Sequence, residues 1–281
     1  MTRWLKWSSL LLLALLAGPL YMLVRGSDAQ AQALARRESI VGAAEQPPER
    51  QRDGWRFANR DSAGISPLPQ EHPETVIQIF AARTWGWRGN LAVHPWIATK
   101  IAGADTYMTH QVIGFRARRG LPVVQSQEDL PDRYWYGNVP ELLVDIRGAE
   151  AERLLPRVLA AVASYPYPDR YTTWPGPNSN TFVAQVGREV PELGLVLPVT
   201  AIGKDYLPGG ALLAPTPSGS GYQVSLLGTL GLMAGIEEGI EFNVLGLAFA
   251  IDVLRPAMKL PGVGRIGVAE RGPNSGHQIG D

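Results

Sequence analysis

Ser179 stands in the run Gly176-Pro177-Asn178-Ser179-Asn180-Thr181, which opens the helix-forming stretch TFVAQVGREV. A hydroxyl at a helix N-terminus meets unpaired backbone N–H groups and the positive end of the helix dipole. Such a place can stabilise an alkoxide or an oxyanion, which is what a serine nucleophile needs. Simple capping of the helix by Ser179 or Asn180 uses the same residue types. His94 lies upstream in a strand-like segment between Trp85/Trp87 and Trp96. A neutral imidazole there can serve as general base. Thr109, His110 and Gln111 on the next predicted strand are candidates to orient it, and alternation favours His110 or its i±2 neighbours for the shared face. The candidate set is therefore Ser179 as nucleophile, His94 as base, His110 as orienting group, and Asn178 or Asn180 as oxyanion donors.

Two further groupings compete with blander uses. Gly203-Lys204-Asp205-Tyr206 sets a cation beside a carboxylate in a turn. That pair can line a site or bind an anionic group, or form an ordinary surface ion pair. Glu237, Glu238, Glu241 and Asp252 have no neighbouring histidine, so they read as a solvated turn and no metal is expected. PSGSGYQ (217–223) lacks the Lys-Ser/Thr of a phosphate-binding loop, and no cofactor is expected.

The elements that must position these residues follow from periodicity. Strands are predicted at 75–81 (TVIQIFA), 90–100 (ending near Pro95), 106–116 and 142–146. Ala151, Leu154, Leu155, Val158, Leu159 and Val162 fall on one helical stripe. Pro156 interrupts it, so that helix should start near Leu155 or kink. A second helix is expected over 179–190. Beyond it, 221–253 is apolar and glycine-rich, and its alternation at Ile240, Phe242 and Val244 predicts strand.

Composition narrows the classes. The 281 residues carry 26 Lys+Arg and 26 Asp+Glu, so no basic surplus points to nucleic acid. With no cysteine, disulfide frameworks, thiolate metal sites and cysteine nucleophiles are excluded. Arg3 and Lys6 precede a run without charged side chains from Trp7 to Val24. Eighteen helical residues would span roughly 27 Å, enough for a bilayer core. The expected organisation is a signal anchor over 1–25, a flexible polar linker over 26–70, an extracytoplasmic domain over 71–266, and a loose tail over 267–281. The positive flank places the domain outside the cytoplasm, on a single-pass inner-membrane protein facing the periplasm or exterior. A cleaved signal peptide, with Ala29, Ala31 and Ala33 near the cut, is the alternative.

The order strand-borne His, strand, strand, helix, then Asn178-Ser179-Asn180-x-Phe182 resembles the circularly permuted papain-like hydrolases and acyltransferases, the NlpC/P60-like and lecithin:retinol acyltransferase-like groups. Ser179 stands where those proteins have a nucleophilic cysteine. The stretches TWGWRGNLAVHPWIATK, YPYPDRYTTWPGPNSNTFVAQVGREVPEL and AIGKDYLPGG are similar to a bacterial domain-of-unknown-function family, number 3750, with membrane-anchored members. The resemblance implies an α/β (α+β) fold: a permuted papain-like core with an antiparallel sheet and packed helices, plus a glycine-rich β extension. The expected function is a hydrolase or acyltransferase acting on an amide or ester of an envelope component. The alternative is a non-catalytic module of the same fold binding an envelope peptide, lipid or protein partner.

Overall fold

The computed structural model describes residues 54–268, an α+β arrangement of two antiparallel sheets and two principal helices. The apolar run 7–24, most of the expected linker and the end of the tail lie outside the described residues. Among the described residues no helix is long and apolar enough to cross a membrane.

The first sheet has β1 (Val76–Arg83), β2 (Val93–Lys100), β3 (Met108–Val112), β4 (Val124–Glu128) and β5 (Glu141–Arg147), in the order β4-β3-β2-β1-β5. The stretch 76–79, rich in β-branched residues, forms an interior strand between β2 and β5, buried on both faces. β2 runs straight through Pro95 instead of ending there. Pro95 pairs with Ala81 of β1, while β3 pairs with β2 only over 97–99. The missing N–H of Pro95 therefore falls where β3 asks for no ladder bond.

Two helices cover one face of this sheet. α1 (Gly148–Ala163) lies over β1 and β5, and α2 (Ser179–Glu189) over β2 and β3. α1 begins directly after β5 and passes through Pro156, so the expected late start is corrected. Leu154, Leu155 and Val158 face the sheet, whereas Pro156 is exposed. Burial of the stripe outweighs the bond that a mid-helix proline loses. Ile77, Ile79, Ile97, Val144 and Ile146 meet Leu154, Val158, Phe182 and Val186 in the main core.

The opposite face buries Val76, Phe80, Trp96 and Ala98, and is covered by Ile65 and Trp135. Ile65 belongs to the stretch expected to be linker. Asp132, fully buried, accepts from Ser62 Oγ (2.7 Å), Ile65 N (2.5 Å) and Ser66 N (3.1 Å). Ser66 Oγ donates to Gln78 Oε1 (2.7 Å), and Tyr107 Oη donates to Pro67 O (2.9 Å). Residues 54–70 are therefore part of the domain, and the linker boundary at Gln70 is corrected. Their polar composition disguised them, because they hold on through hydrogen bonds and not through an apolar stripe.

The second sheet is a seven-stranded meander: β6 (Leu213–Pro215), β7 (Gly221–Leu226), β8 (Leu230–Gly235), β9 (Gly239–Val244), β10 (Leu247–Asp252), β11 (Ala257–Leu260) and β12 (Gly264–Gly267), each paired to the next. It extends beyond the expected 221–253 on both sides. Its inner face is unusually polar: Gln223, Ser225, Glu241, Asn243 and Asp252 are buried. Its outer face is apolar. One row across it runs Leu213, Val224, Leu232, Phe242, Phe249. A second runs from Pro215 and Tyr222 through Ile240 and Ile251 to Met258 and Ile266. A third is Leu226, Leu230, Val244, Leu247.

Candidate functional site

The helix start at 179 is held by a side chain, but not by Ser179. Asn178 is the N-cap: its Oδ1 accepts from Asn180 N (2.9 Å) and Thr181 N (3.2 Å), while its own N–H donates to Thr181 Oγ1 (3.0 Å). Its amide Nδ2 donates to Thr173 O and Ile202 O. The expectation that Ser179 or Asn180 caps the helix is therefore corrected by one residue. Gly203, at φ 100°, allows this approach, since a Cβ there would sit 2.3 Å from Asn178 Nδ2. The Asn180 amide donates to Val93 O (3.2 Å) and Ile202 O (2.8 Å), tying the helix to β2. The donors expected to serve an oxyanion thus hold backbone carbonyls. Ser179 itself is 4% exposed, and its Oγ makes no hydrogen bond among the described residues.

His94 lies on the other side of the sheet. Along β2, Ile97 faces the helices and Trp96 faces away, and His94 shares the parity of Trp96. Its ring stacks on Trp135 with centroids 3.9 Å apart, 9° from parallel. Its Nε2 is 3.1 Å from Gln111 Oε1. Burial pulls the imidazole down to about 4, against the Gln111 hydrogen bond, which raises it. His94 is therefore neutral at pH 7, and with its proton on Nε2 it donates to Gln111.

The register reverses the expected partner. Ile97 pairs with His110, so His110 points to the helix face, between Thr99 Oγ1 (3.0 Å to Nε2) and Ser126 Oγ (2.8 Å to Nδ1). Burial lowers its pKa to about 4 as well. Gln111, one residue on, takes the face of His94. A shift of one residue exchanges every side chain between faces, and strand alternation without the register left that parity open. Ser179, His94 and His110 are accordingly not joined to one another: two lie on the helix side and one on the far side of β2.

Lys204 and Asp205 are buried together beneath the second sheet. Lys204 Nζ binds Glu241 Oε1 and lies 3.3 Å from Asp205 Oδ1. Burial alone would lower the Lys204 ammonium, but Asp205 and Glu241 more than offset it and hold it above its ordinary value. Burial raises Glu241, helped by Asp205 and opposed by Lys204. Gln223 and Asn243 donate to Asp205 (3.3 and 2.8 Å). From α2, Arg188 donates to Gln223 Oε1, Lys204 O and Pro215 O. This is an internal polar layer joining α2 to the meander, so the surface ion-pair reading of Lys204-Asp205 is corrected. The other acidic residues are also engaged: Glu238 with Ser218 and Ser220, Asp252 with Arg255 and Arg265.

Beside His94 opens a cleft of about 120 Å³, well above the ~10–15 Å³ that admits one water. Gln111, Gln125 and Gln127 line one wall, Arg60 and Arg133 reach in, and Trp135 and Tyr136 form the aromatic side. The glutamines share a face because Gln111 pairs with Gln125, and Thr109 with Gln127. A relay runs from Gln125 Nε2 to Gln127 Oε1 (2.5 Å), and from Gln127 Nε2 to Asp129 Oδ2 (3.2 Å). The Arg60 guanidinium sits 4.7 Å from the Tyr136 ring centroid. Edge-on contacts extend the aromatic side to Trp55 and Trp85. Apart from Gln111, considered only as a partner for His94, these residues were not among the candidates. The signals were the alternation of glutamines in VQSQE and the aromatic turn RYWYGN.

This geometry belongs to a class of α+β domains in which an antiparallel sheet carries a helical layer on one face and a polar cleft on the other. Residues 74–206, a little under half of the chain, match the family model described as "Protein of unknown function (DUF3750)". The matched segment holds the first sheet, both helices and the Lys204-Asp205 turn, and stops before the meander. Comparisons with curated proteins and with solved structures return no match.

Proposed function

We propose that the chain is an envelope-anchored binding module that takes an amide-bearing ligand, such as a peptidoglycan peptide, in the cleft beside His94. The carrying observation is the convergence of Gln111, Gln125 and Gln127 with Arg60 against an aromatic wall. With its oxygen engaged by His94, Gln111 is left an amide N–H₂ to donate. Paired glutamines suit peptide amides, a guanidinium suits a carboxylate, and the rings suit the apolar parts between them. The rival hydrolase or acyltransferase needs a base within hydrogen-bond reach of Ser179. His94 instead lies buried behind the cleft wall, stacked on Trp135 and bonded to Gln111.

The test is co-sedimentation of the full-length protein with isolated peptidoglycan sacculi, and competition by soluble muropeptides. Wild type should be retained. The Gln125→Leu/Gln127→Leu pair should weaken retention by about tenfold, the equivalent of about 1.4 kcal/mol. Equal retention of both proteins, or none of either, would discard the proposal. Labelling of Ser179 by a serine-directed phosphonate, lost in His94→Gln, would restore the hydrolase reading.

A further inference from the structure

The outer face of the meander is the largest feature that the cleft does not use. Its three rows hold no charged or amide side chain. Phe242 is 48% exposed and Val224 54%. Seven strands spaced about 4.8 Å apart make this surface roughly 29 Å wide. Exposed apolar patches of that extent mark a surface that is covered in use.

We infer that this face rests on the hydrocarbon of a lipid bilayer. Three observations choose lipid over a second copy of the chain. The apolar character runs past the strands onto the hairpin tips at both ends: Leu227 and Leu245 at one, Val253 and Leu254 at the other, all about half exposed or more. A sheet stacked about 10 Å above this one covers the rows but not the tips, whereas a fluid surface conforms to both. The rows are mostly Leu, Ile and Val, while protein interfaces concentrate aromatic residues, Met and Arg. No charge on them offers a register to a protein partner. Finally, the apolar run 7–24 ends 29 residues before Gly54, a stretch with a reach of up to roughly 100 Å. This inference rests on the proposed anchoring, since a bilayer holding that run would keep the sheet within reach of its surface.

The meander's build fits this use. Its polar groups are turned inward, onto Lys204, Asp205 and Arg188, and its backbone ladder is satisfied strand to strand. Lipid contact therefore costs no buried polar group across the interior of the face.

The chain has no cysteine, so single-cysteine variants report without background. Full-length Phe242→Cys and Glu152→Cys proteins, the latter on the exposed side of α1, are labelled with an environment-sensitive fluorophore. They are reconstituted into phosphatidylcholine vesicles with or without acyl-chain nitroxide lipid. Flotation reports anchoring, and nitroxide quenching reports the sheet. The Phe242→Cys probe should be quenched roughly twofold or more beyond the Glu152→Cys probe. Val224→Cys, on the same row, gives the same readout should Phe242→Cys fail to fold. A protein that floats with equal quenching at both sites overturns the inference and leaves the anchoring intact. Failure to float overturns both. Disulfide cross-linking between two Phe242→Cys chains without nitroxide quenching assigns the face to a second copy. A face probe shielded from aqueous quencher, yet neither cross-linked nor lipid-quenched, assigns it to the chain's own segment 7–24. Either result overturns the bilayer contact.

Discussion

Acid should destabilise this protein through His94 before its carboxylates dominate. His94 is 7% exposed, stacked on Trp135, and its pKa falls from 6.5 to about 4 because burial penalises the imidazolium. The unfolded chain takes up a proton that the folded chain refuses. Stability is thus fully present above about pH 6.5 and is lost as pH falls toward 4. At about 1.4 kcal/mol per pH unit, a single such histidine removes about 2.4 kcal/mol between pH 7 and pH 4.5. His94→Gln can keep a hydrogen bond to Gln111 but cannot titrate. Urea unfolding of both full-length proteins, followed by circular dichroism at the two pH values, isolates the term. His110 and the carboxylates contribute alike to each. The variant should lose about 2.4 kcal/mol less than wild type on acidification. Equal losses, or an imidazole resonance of His94 that titrates near 6.5, would refute the claim that the ring is held neutral by burial.

The other predictions concern the helix start and the polar layer. Asn178→Ala removes the cap and two amide donors, and should cost about 2 kcal/mol or more in denaturant midpoint analysis, whereas Ser179→Ala should cost less than about 1 kcal/mol. The reverse ranking would mean that Ser179 holds the helix. Lys204→Met leaves Asp205 and Glu241 buried without their cation, and should cost about 3–5 kcal/mol in thermal or urea unfolding. A change under about 1 kcal/mol would show the layer to be solvated.

What could be read from the sequence followed the strength of local pattern. The β-branched stretch of β1 and the start of α2 at Ser179 were visible because apolar period and capping chemistry are local. β4 escaped, since VQSQE has no apolar alternation and its pairing with β3 supplies the strand. The placement of the candidate dyad turned on register. Nothing local says whether His94 or Pro95 points toward the helices, and only the pairing of Ile97 with His110 settles it. Lys204 and Asp205 stood out in the sequence as adjacent opposite charges that favoured a surface ion pair, whereas Lys204 is buried against Glu241, 37 positions away. The cleft was least legible, because it gathers Arg60, Gln125 and Trp135 from three separated segments.

The contacts of Asp132 also have a mechanical consequence. Any pull applied to the domain through the chain before Gly54 arrives first at residues 54–70, which are held to Asp132 by Ser62, Ile65 and Ser66. Release of those bonds would free the segment from Asp132 without breaking a strand pair of either sheet. Ile65 would leave with it, baring part of the aromatic face on which Trp96 lies. The stretch 54–70 would in that way govern the exposure of the face that carries His94.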